Sequence, residues 1–107
     1  MRMWNVNVKE MCNQHLLGEH VETHMIVGCL NKKKSIKGYL EKGLIEVHNI
    51  GKRHNKLAKE ISSRGFQHKS HLPNYKIEKL GKINSKENEL ELARRCKKCK
   101  EKQNDSL

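Results

Sequence analysis

One stretch constrains the fold of this chain more than any other. From about Val8 to Leu30 the sequence keeps a helical pattern, and inside it lies Gln14 to Glu22, QHLLGEHVE, with two histidines and two carboxylates. At about 3.6 residues per turn, His15, Glu19 and Glu22 fall within about 60° of one another, while Leu16, Leu17, Val21 and Val27 point elsewhere. Such a helix shows an apolar side to a core and an acidic side to something else. In a chain of net charge +11, that acidic strip has two readings. It is a solvated face with an i,i+4 His15/Glu19 pair, or it is a catalytic carboxylate held in a basic cleft.

The remaining elements follow from caps and spacing. Asn7 with Glu10 reads as a capping box for the first helix. Gly18 and Gly28 lie inside that helix, and each costs about 1 kcal/mol relative to alanine. Both fall on the flank of Glu19 and Glu22, so something is expected to approach that flank closely. Lys32, Lys33 and Lys34 end the helix with charges suited to its C-terminal dipole. Residues 35–48 contain at most one short helical turn. Asn49 can cap a second helix, about Ile50 to Arg64, with Ile50, Leu57 and Ile61 at helical spacing; Gly65 stops it and Phe66 follows as an apolar anchor. Residues 67–83 read as an extended basic loop with His68, Lys69, His71, Pro73 and Tyr75. Asn84 and Glu87 open a third helix, about Ser85 to Glu101, with Leu90 and Leu92 as core candidates. From about residue 103 the tail is expected to fray. No segment alternates with period two. The predicted fold is all-α: one compact three-helix domain over residues 1–107, with the N-terminal segment packed between or along helices.

Charge narrows the partners. Residues 1–30 hold two basic and three acidic residues, whereas residues 31–107 hold twenty-one basic and nine acidic. A basic surface of this size fits a polyanion, because each neutralised phosphate releases counterions. Lys32, Lys33, Lys34, Lys52, Arg53, Arg94, Arg95, Lys97 and Lys98 are the candidate phosphate contacts. No apolar run approaches the roughly 20 residues that span a bilayer, and MRMWNVNV lacks an apolar leader core. A cytoplasmic monomer with a nucleic-acid partner and no membrane partner is the expectation.

Several chemistries are set aside. The one aspartate is Asp105, which removes an Asp-based metal nuclease and a Ser-His-Asp triad. There is no glycine-rich phosphate loop. His20, Glu22 and His24 lack the H-E-x-x-H order of a zinc protease, and Glu22 points away from both histidines; these two histidines are expected to be partly buried on the core flank. Cys96 and Cys99 form half of a zinc-ribbon pattern without a second C-x-x-C, and Cys12 and Cys29 fall on different sides of one helix. A zinc site would need partners such as His68 or His71. The sequence therefore predicts no cofactor and no metal.

What remains is the chain terminus. An α-amino group titrates near about 7.7–8.0, so a useful fraction is neutral at physiological pH and can attack a sugar C1′ carbon or form a Schiff base. Glu22 lies roughly 22 Å along the predicted helix, and six extended residues cover roughly 20 Å. If residues 1–6 fold back along the helix, the amine of Met1 arrives near Glu19 and Glu22, with Arg2 beside them and Gly18 easing the approach. A frayed end is the alternative, and Trp4 argues against it.

QHLLGEHVE followed by HMIVG, then a basic loop, then RHNKLAKEISSRGF, resembles the pyrimidine-dimer DNA glycosylase family, the phage endonuclease V type. The resemblance covers roughly residues 2–71. It implies a small all-α fold whose N-terminal segment passes between helices. It also implies removal of one base of a cyclobutane pyrimidine dimer, followed by a nick at the abasic site. The family's catalytic glutamate matches Glu22, the arginine after its nucleophile matches Arg2, and its first-helix glutamine, histidine and nearby glutamate match Gln14, His15 and Glu19. Three features depart from the family. Its nucleophile is usually a threonine exposed by loss of methionine; here Arg2 follows, so Met1 itself would supply the amine. Two DNA-contacting arginines fall on Val21 and near Met25. The family's aromatic-basic C-terminal segment is replaced by the run from Arg94 to Lys102. The resemblance thus implies a DNA repair glycosylase with abasic-site lyase activity, its catalytic residues Met1 and Glu22, acting on damaged double-stranded DNA. The alternative is a non-catalytic basic DNA- or RNA-binding module on the same fold.

Overall fold

A computed structural model describes residues 1–68 and 70–105 of the chain; Lys69 of the predicted basic loop and the last two residues of the tail lie outside it. Among the described residues, five α-helices carry the fold: α1 (Asn13–Asn31), α2 (Lys37–Glu41), α3 (Ile50–Ser63), α4 (Ser85–Arg95) and α5 (Lys97–Asp105), with 3-10 turns at Val8–Glu10 and Val47–Asn49. No strand occurs among the described residues. The fold is all-α, as the patterning predicts, with α2 as the short turn and the third predicted helix divided in two.

Both departures involve cysteine. The first helix begins at Asn13 rather than near Val8, because Asn7 caps only the 3-10 turn, accepting the N–H of Lys9. The cap of α1 is Cys12, whose sulfur accepts the N–H of His15 at 3.5 Å. Cysteine is not among the residues favoured at that position, so the pattern does not announce it. The last helix breaks at Cys96, which is extended at φ −132° and ψ 111°. Its sulfur then accepts the N–H of Cys99 at 3.4 Å, inside the first turn of α5. The break lets α5 pack on the Val8–Glu10 turn. Helix α5 continues to Asp105, and Gln103 donates to the Glu89 carbonyl, so the tail does not fray at residue 103.

Two apolar clusters form the interior. One gathers Trp4, Val6, Met11, Leu16, Leu57, Ile61 and Leu92 with Cys12 and Cys99. The other gathers Met3, Ile26, Val27, Ile36, Ile45, Val47, Ile50 and Ile83. The N-terminal segment stitches them together, with Met3 in one and Trp4 and Val6 in the other. Full burial of such side chains contributes about 1.5–3 kcal/mol each. Hydrogen bonds fix the path: the Met3 N–H donates to the Leu44 carbonyl (2.8 Å) and the Asn88 amide donates to the Trp4 carbonyl (2.8 Å). The segment is docked rather than frayed. Leu90 is 65% exposed despite its apolar character. The buried side of α4 is set by Asn88 and Leu92, four residues apart, and Leu90 sits about 200° from each. Phe66 is also exposed, so it does not anchor the end of α3.

The predicted basic loop is tied to the core. The Val47 N–H donates to the Leu80 carbonyl, the Ile83 N–H donates to Glu46, and Tyr75 donates to the Val47 carbonyl. At Gly81 the φ of +89° and the adjacent Ile45 carbonyl leave no room for a side chain.

Candidate active site

The acidic strip of α1 divides into two unlike sites. Glu19 is 1% exposed, and its carboxylate is taken up inside the fold. Arg53, reaching from α3, donates its Nε to Glu19 at 2.5 Å and one terminal nitrogen at 2.9 Å. Its other terminal nitrogen donates to the Val6 carbonyl at 2.7 Å, and Met11 sulfur lies at 3.3 Å. Neither Glu19 nor Arg53 is therefore available as a DNA contact. Apolar neighbours surround both charges, so each is held inside by the other.

Glu22, one turn further along, is half-buried. Burial raises its pKa above the ordinary 4.5 and Glu19 adds to the rise, while the Met1 ammonium, the Arg2 backbone N–H and the Arg2 guanidinium pull it down. The amine of Met1 and the carboxylate of Glu22 are thus close electrostatic neighbours. Arg2 lies flat over the Trp4 ring at 3.8 Å and donates to the Asn88 side chain at 2.8 Å. Burial and the nearby Arg95 lower its pKa, against the opposing pull of Glu91 and Glu22. No motif or spacing marks Asn88. It grips both Arg2 and the Trp4 carbonyl, so α4 holds the N-terminal segment in register with α1.

Beside Glu22 is an open hollow of about 470 Å³ lined by Trp4, Gln14, His15, Gly18, Glu19, Val21 and Glu22. That size lies within the usual range of ligand pockets, about 300–1,000 Å³. Gln14 is exposed at its rim. No protein atom would touch a Cβ at Gly18 or Gly28 within 4 Å, so the N-terminal segment does not use the glycine flank as the sequence suggested. A larger hollow of about 540 Å³ runs from Arg2 past Lys42 and Lys82 to Arg95. It shares Arg2 with the Glu22 site but contains neither Glu22 nor Met1.

His15 lines the Glu22 hollow and also reaches a group of cysteines. Its Nδ1 lies 3.2 Å from the Cys12 sulfur and 3.6 Å from the Cys99 sulfur. Donor atoms of Cys12, His15, Cys96 and Cys99 all lie within 4.8 Å of one another, and so do those of His20, His54 and His68. Either set could hold a metal ion, contrary to the metal-free expectation. The partners of Cys96 and Cys99 are Cys12 and His15 rather than His68 or His71. The signal was present as C-x-x-H at Cys12 and His15, matching the spacing of Cys96 and Cys99. His20 and His24 are half-buried on the core flank, as predicted. The Nε2 atoms of His20 and His68 are 2.7 Å apart, and burial followed by His54, His68 and His24 depresses His20 to about 4.

Among the remaining predicted contacts, Lys32, Lys33, Lys34, Lys52, Lys97 and Lys98 are exposed. Arg94 and Arg95 are exposed and paired with Glu91; such surface pairs are weak and exchange readily for a phosphate. No helix is long and apolar enough to cross a membrane among the described residues.

The chain is thus a strongly basic, all-helical protein whose terminal amine acts electrostatically on Glu22, and Glu22 borders an open hollow. The family model for pyrimidine dimer DNA glycosylase matches residues 1–74, and the chain belongs to that family. Membership implies a glycosylase that acts on damaged DNA. No curated protein and no solved structure matches the chain. Helices α4 and α5 lie outside the matched residues.

Proposed function

We propose that the chain is a DNA glycosylase with abasic-site lyase activity, acting on pyrimidine dimers or related base damage, with the Met1 amine as nucleophile and Glu22 as its acid–base partner. The observation that supports this most is the placement of the amine within electrostatic reach of Glu22, on a segment whose next residues are locked into the core. In the reaction, the neutral amine attacks C1′ of the damaged nucleotide and a C1′–N bond forms. The glycosidic bond breaks and the base leaves with its electron pair. Ring opening gives a protonated Schiff base. Loss of a C2′ proton then expels the 3′ phosphate by β-elimination.

Glu22 supports two steps. As a carboxylate it stabilises the positive charge developing on the sugar, and it exchanges protons during ring opening and elimination. Its half-buried position strengthens both effects by removing solvent. Arg2 and Gln14 border the site and can hold phosphate or the opened strand. Lys32, Lys33, Lys34, Lys52, Arg94, Arg95, Lys97 and Lys98 supply backbone contacts that carry no sequence information. Trp4 is buried under Arg2 and cannot wedge a base step. Val21 and Met25, 55% and 52% exposed beside Glu22 on α1, are the apolar groups placed to enter an opened duplex.

Borohydride reduces a Schiff base to a stable amine, so it should trap the protein covalently on a duplex containing an abasic site. A protein that binds this duplex but is never trapped would be a DNA-binding module rather than a lyase. Binding to undamaged duplex should weaken by about a thousandfold between 50 and 200 mM salt if several phosphates are contacted. A flat salt response would remove phosphate binding as the role of the basic surface.

A further inference from the structure

We infer that Cys12, His15, Cys96 and Cys99 form a closed structural zinc site that fastens α5 to the head of α1. Zinc in structural sites takes four ligands in a tetrahedron, with Zn–S near 2.3 Å and Zn–N near 2.0–2.1 Å. Those bonds place two sulfurs about 3.8 Å apart and a sulfur and a nitrogen about 3.6 Å apart. The observed separations are 3.8 Å for Cys12 and Cys96 sulfurs, 3.6 Å from Cys99 sulfur to His15 Nδ1, and 3.2 Å from Cys12 sulfur to the same nitrogen. Two of these match tetrahedral edges, the third is somewhat shorter, and all four donor atoms lie within 4.8 Å of one another, close enough for small side-chain shifts to complete a zinc tetrahedron.

The backbone is arranged for the same purpose. Each ligand pair is separated by two residues and opens a helix, Cys12 and His15 at α1, Cys96 and Cys99 at α5. Each leading sulfur accepts the N–H of its pair partner, and the Cys99 sulfur also accepts the Cys12 N–H at 3.2 Å. Metal thiolates are commonly held by such outer hydrogen bonds. Three thiolates around a dication leave one net negative charge, which Lys97 and Lys98 between the two C-terminal ligands offset. Cys12 and Cys99 are buried and the other two half-buried, so there is no open position for substrate. The site is structural rather than catalytic.

Its consequence reaches the Glu22 hollow. His15 lines that hollow and meets the Trp4 ring edge-on at 6.1 Å, and Trp4 in turn carries Arg2. A metal on Nδ1 fixes the orientation of His15 and with it one wall of the hollow. Two of the ligands lie beyond the family-matched residues 1–74. The clamp is thus a way for the added C-terminal helices to steady the N-terminal segment.

The test is metal content and cobalt spectroscopy of the full chain purified with zinc under reducing conditions. One zinc per chain is expected at this site. Cobalt exchanged for it should give visible bands of tetrahedral intensity with a near-ultraviolet sulfur-to-cobalt charge-transfer band. The ion should be lost in Cys96→Ser and kept in Cys29→Ser and His20→Ala. A second ion that disappears only in His20→Ala would belong to the histidine cluster and leave the proposal standing. The wild-type cobalt spectrum decides the matter even if Cys96→Ser fails to fold. Absence of bound metal, a cobalt spectrum without sulfur charge transfer, or a Cys12–Cys96 disulfide in its place would overturn the proposal. None of these readouts involves DNA, so they are independent of the proposed lyase activity.

Discussion

Glu19 and Glu22 lie one helical turn apart, yet the seam between α1 and α3 and the open edge of α1 give them opposite roles. In the seam, Glu19 is enclosed and neutralised by Arg53, whose donors are shared between Glu19, the Val6 carbonyl and Met11. At the edge, Glu22 has no such partner. It keeps a pKa raised by burial and faces the Met1 amine and Arg2 instead. A carboxylate completed by an internal arginine holds the fold together. A carboxylate left incomplete, near an amine and a hollow, is available for chemistry.

The largest effect should come from breaking the seam. Arg53→Met removes one charge and leaves Glu19 buried and alone, a change that costs about 3–5 kcal/mol where buried pairs are broken. Chemical denaturation should show most of the stability of so small a domain gone. A loss below 1 kcal/mol would mean that Glu19 finds water or another partner.

At the edge, the same kind of change should spare the fold and stop the reaction. Glu22→Gln removes a charge that burial disfavours, so the melting temperature should hold or rise slightly. Excision measured on a dimer-containing duplex should fall by about 100–10,000-fold, the range for loss of a general acid–base group. Near wild-type excision would assign the chemistry to another residue.

Acid separates the two regions again. The mechanism needs both an unprotonated amine and a Glu22 carboxylate, so the single-turnover rate should fall with acid in two steps, and the lower step, from Glu22 with its raised pKa, should lie above pH 4.5. Stability responds through a different group. His20 titrates at about 4 in the fold against 6.5 when free, so between those values the unfolded chain binds more protons. Stability should therefore fall as pH drops from 6.5 towards 4 and level off below. His20→Gln should flatten that slope without moving the acid limb of the rate.

The smallest effect concerns the rim. Val21 is 55% exposed and lines the Glu22 hollow. Val21→Arg should strengthen binding to undamaged duplex a few-fold and add about 1 to the slope of log affinity against log salt. No change in slope would place Val21 away from the phosphates.

How much of this was legible beforehand depends on the kind of signal. Periodicity and turn residues located α1 and α3, and the all-α class followed from them. Trp4 correctly indicated a docked N-terminus. The cap at Cys12 was not legible because cysteine is not a favoured capping residue, and the grouping of Cys12 with Cys96 was not because it brings together sulfurs 84 residues apart. For the same reason His15 read as a DNA contact, and Cys12 was weighed against Cys29 rather than against Cys96. The Glu19–Arg53 pair was hidden because exposure cannot be deduced from helix angle alone. Glu19 sits on the polar arc, but α3 covers that part of it. Chain reach alone brings the terminus into electrostatic range of Glu22, although the segment approaches through Leu44 and Asn88 rather than over Gly18.

The central claim is that a free amine at Met1 does the chemistry beside Glu22. A short cleavable extension before Met1 converts that amine into an amide, which is not nucleophilic, and leaves the basic surface unchanged. The measurement is borohydride trapping on an abasic-site duplex before and after cleavage that regenerates Met1 at the start of the chain, with DNA affinity measured in parallel. The account predicts equal affinity in both states, with trapping absent before cleavage and restored after it. Equal trapping in both states would contradict it and place the nucleophile on a lysine or on the extension's own terminal amine.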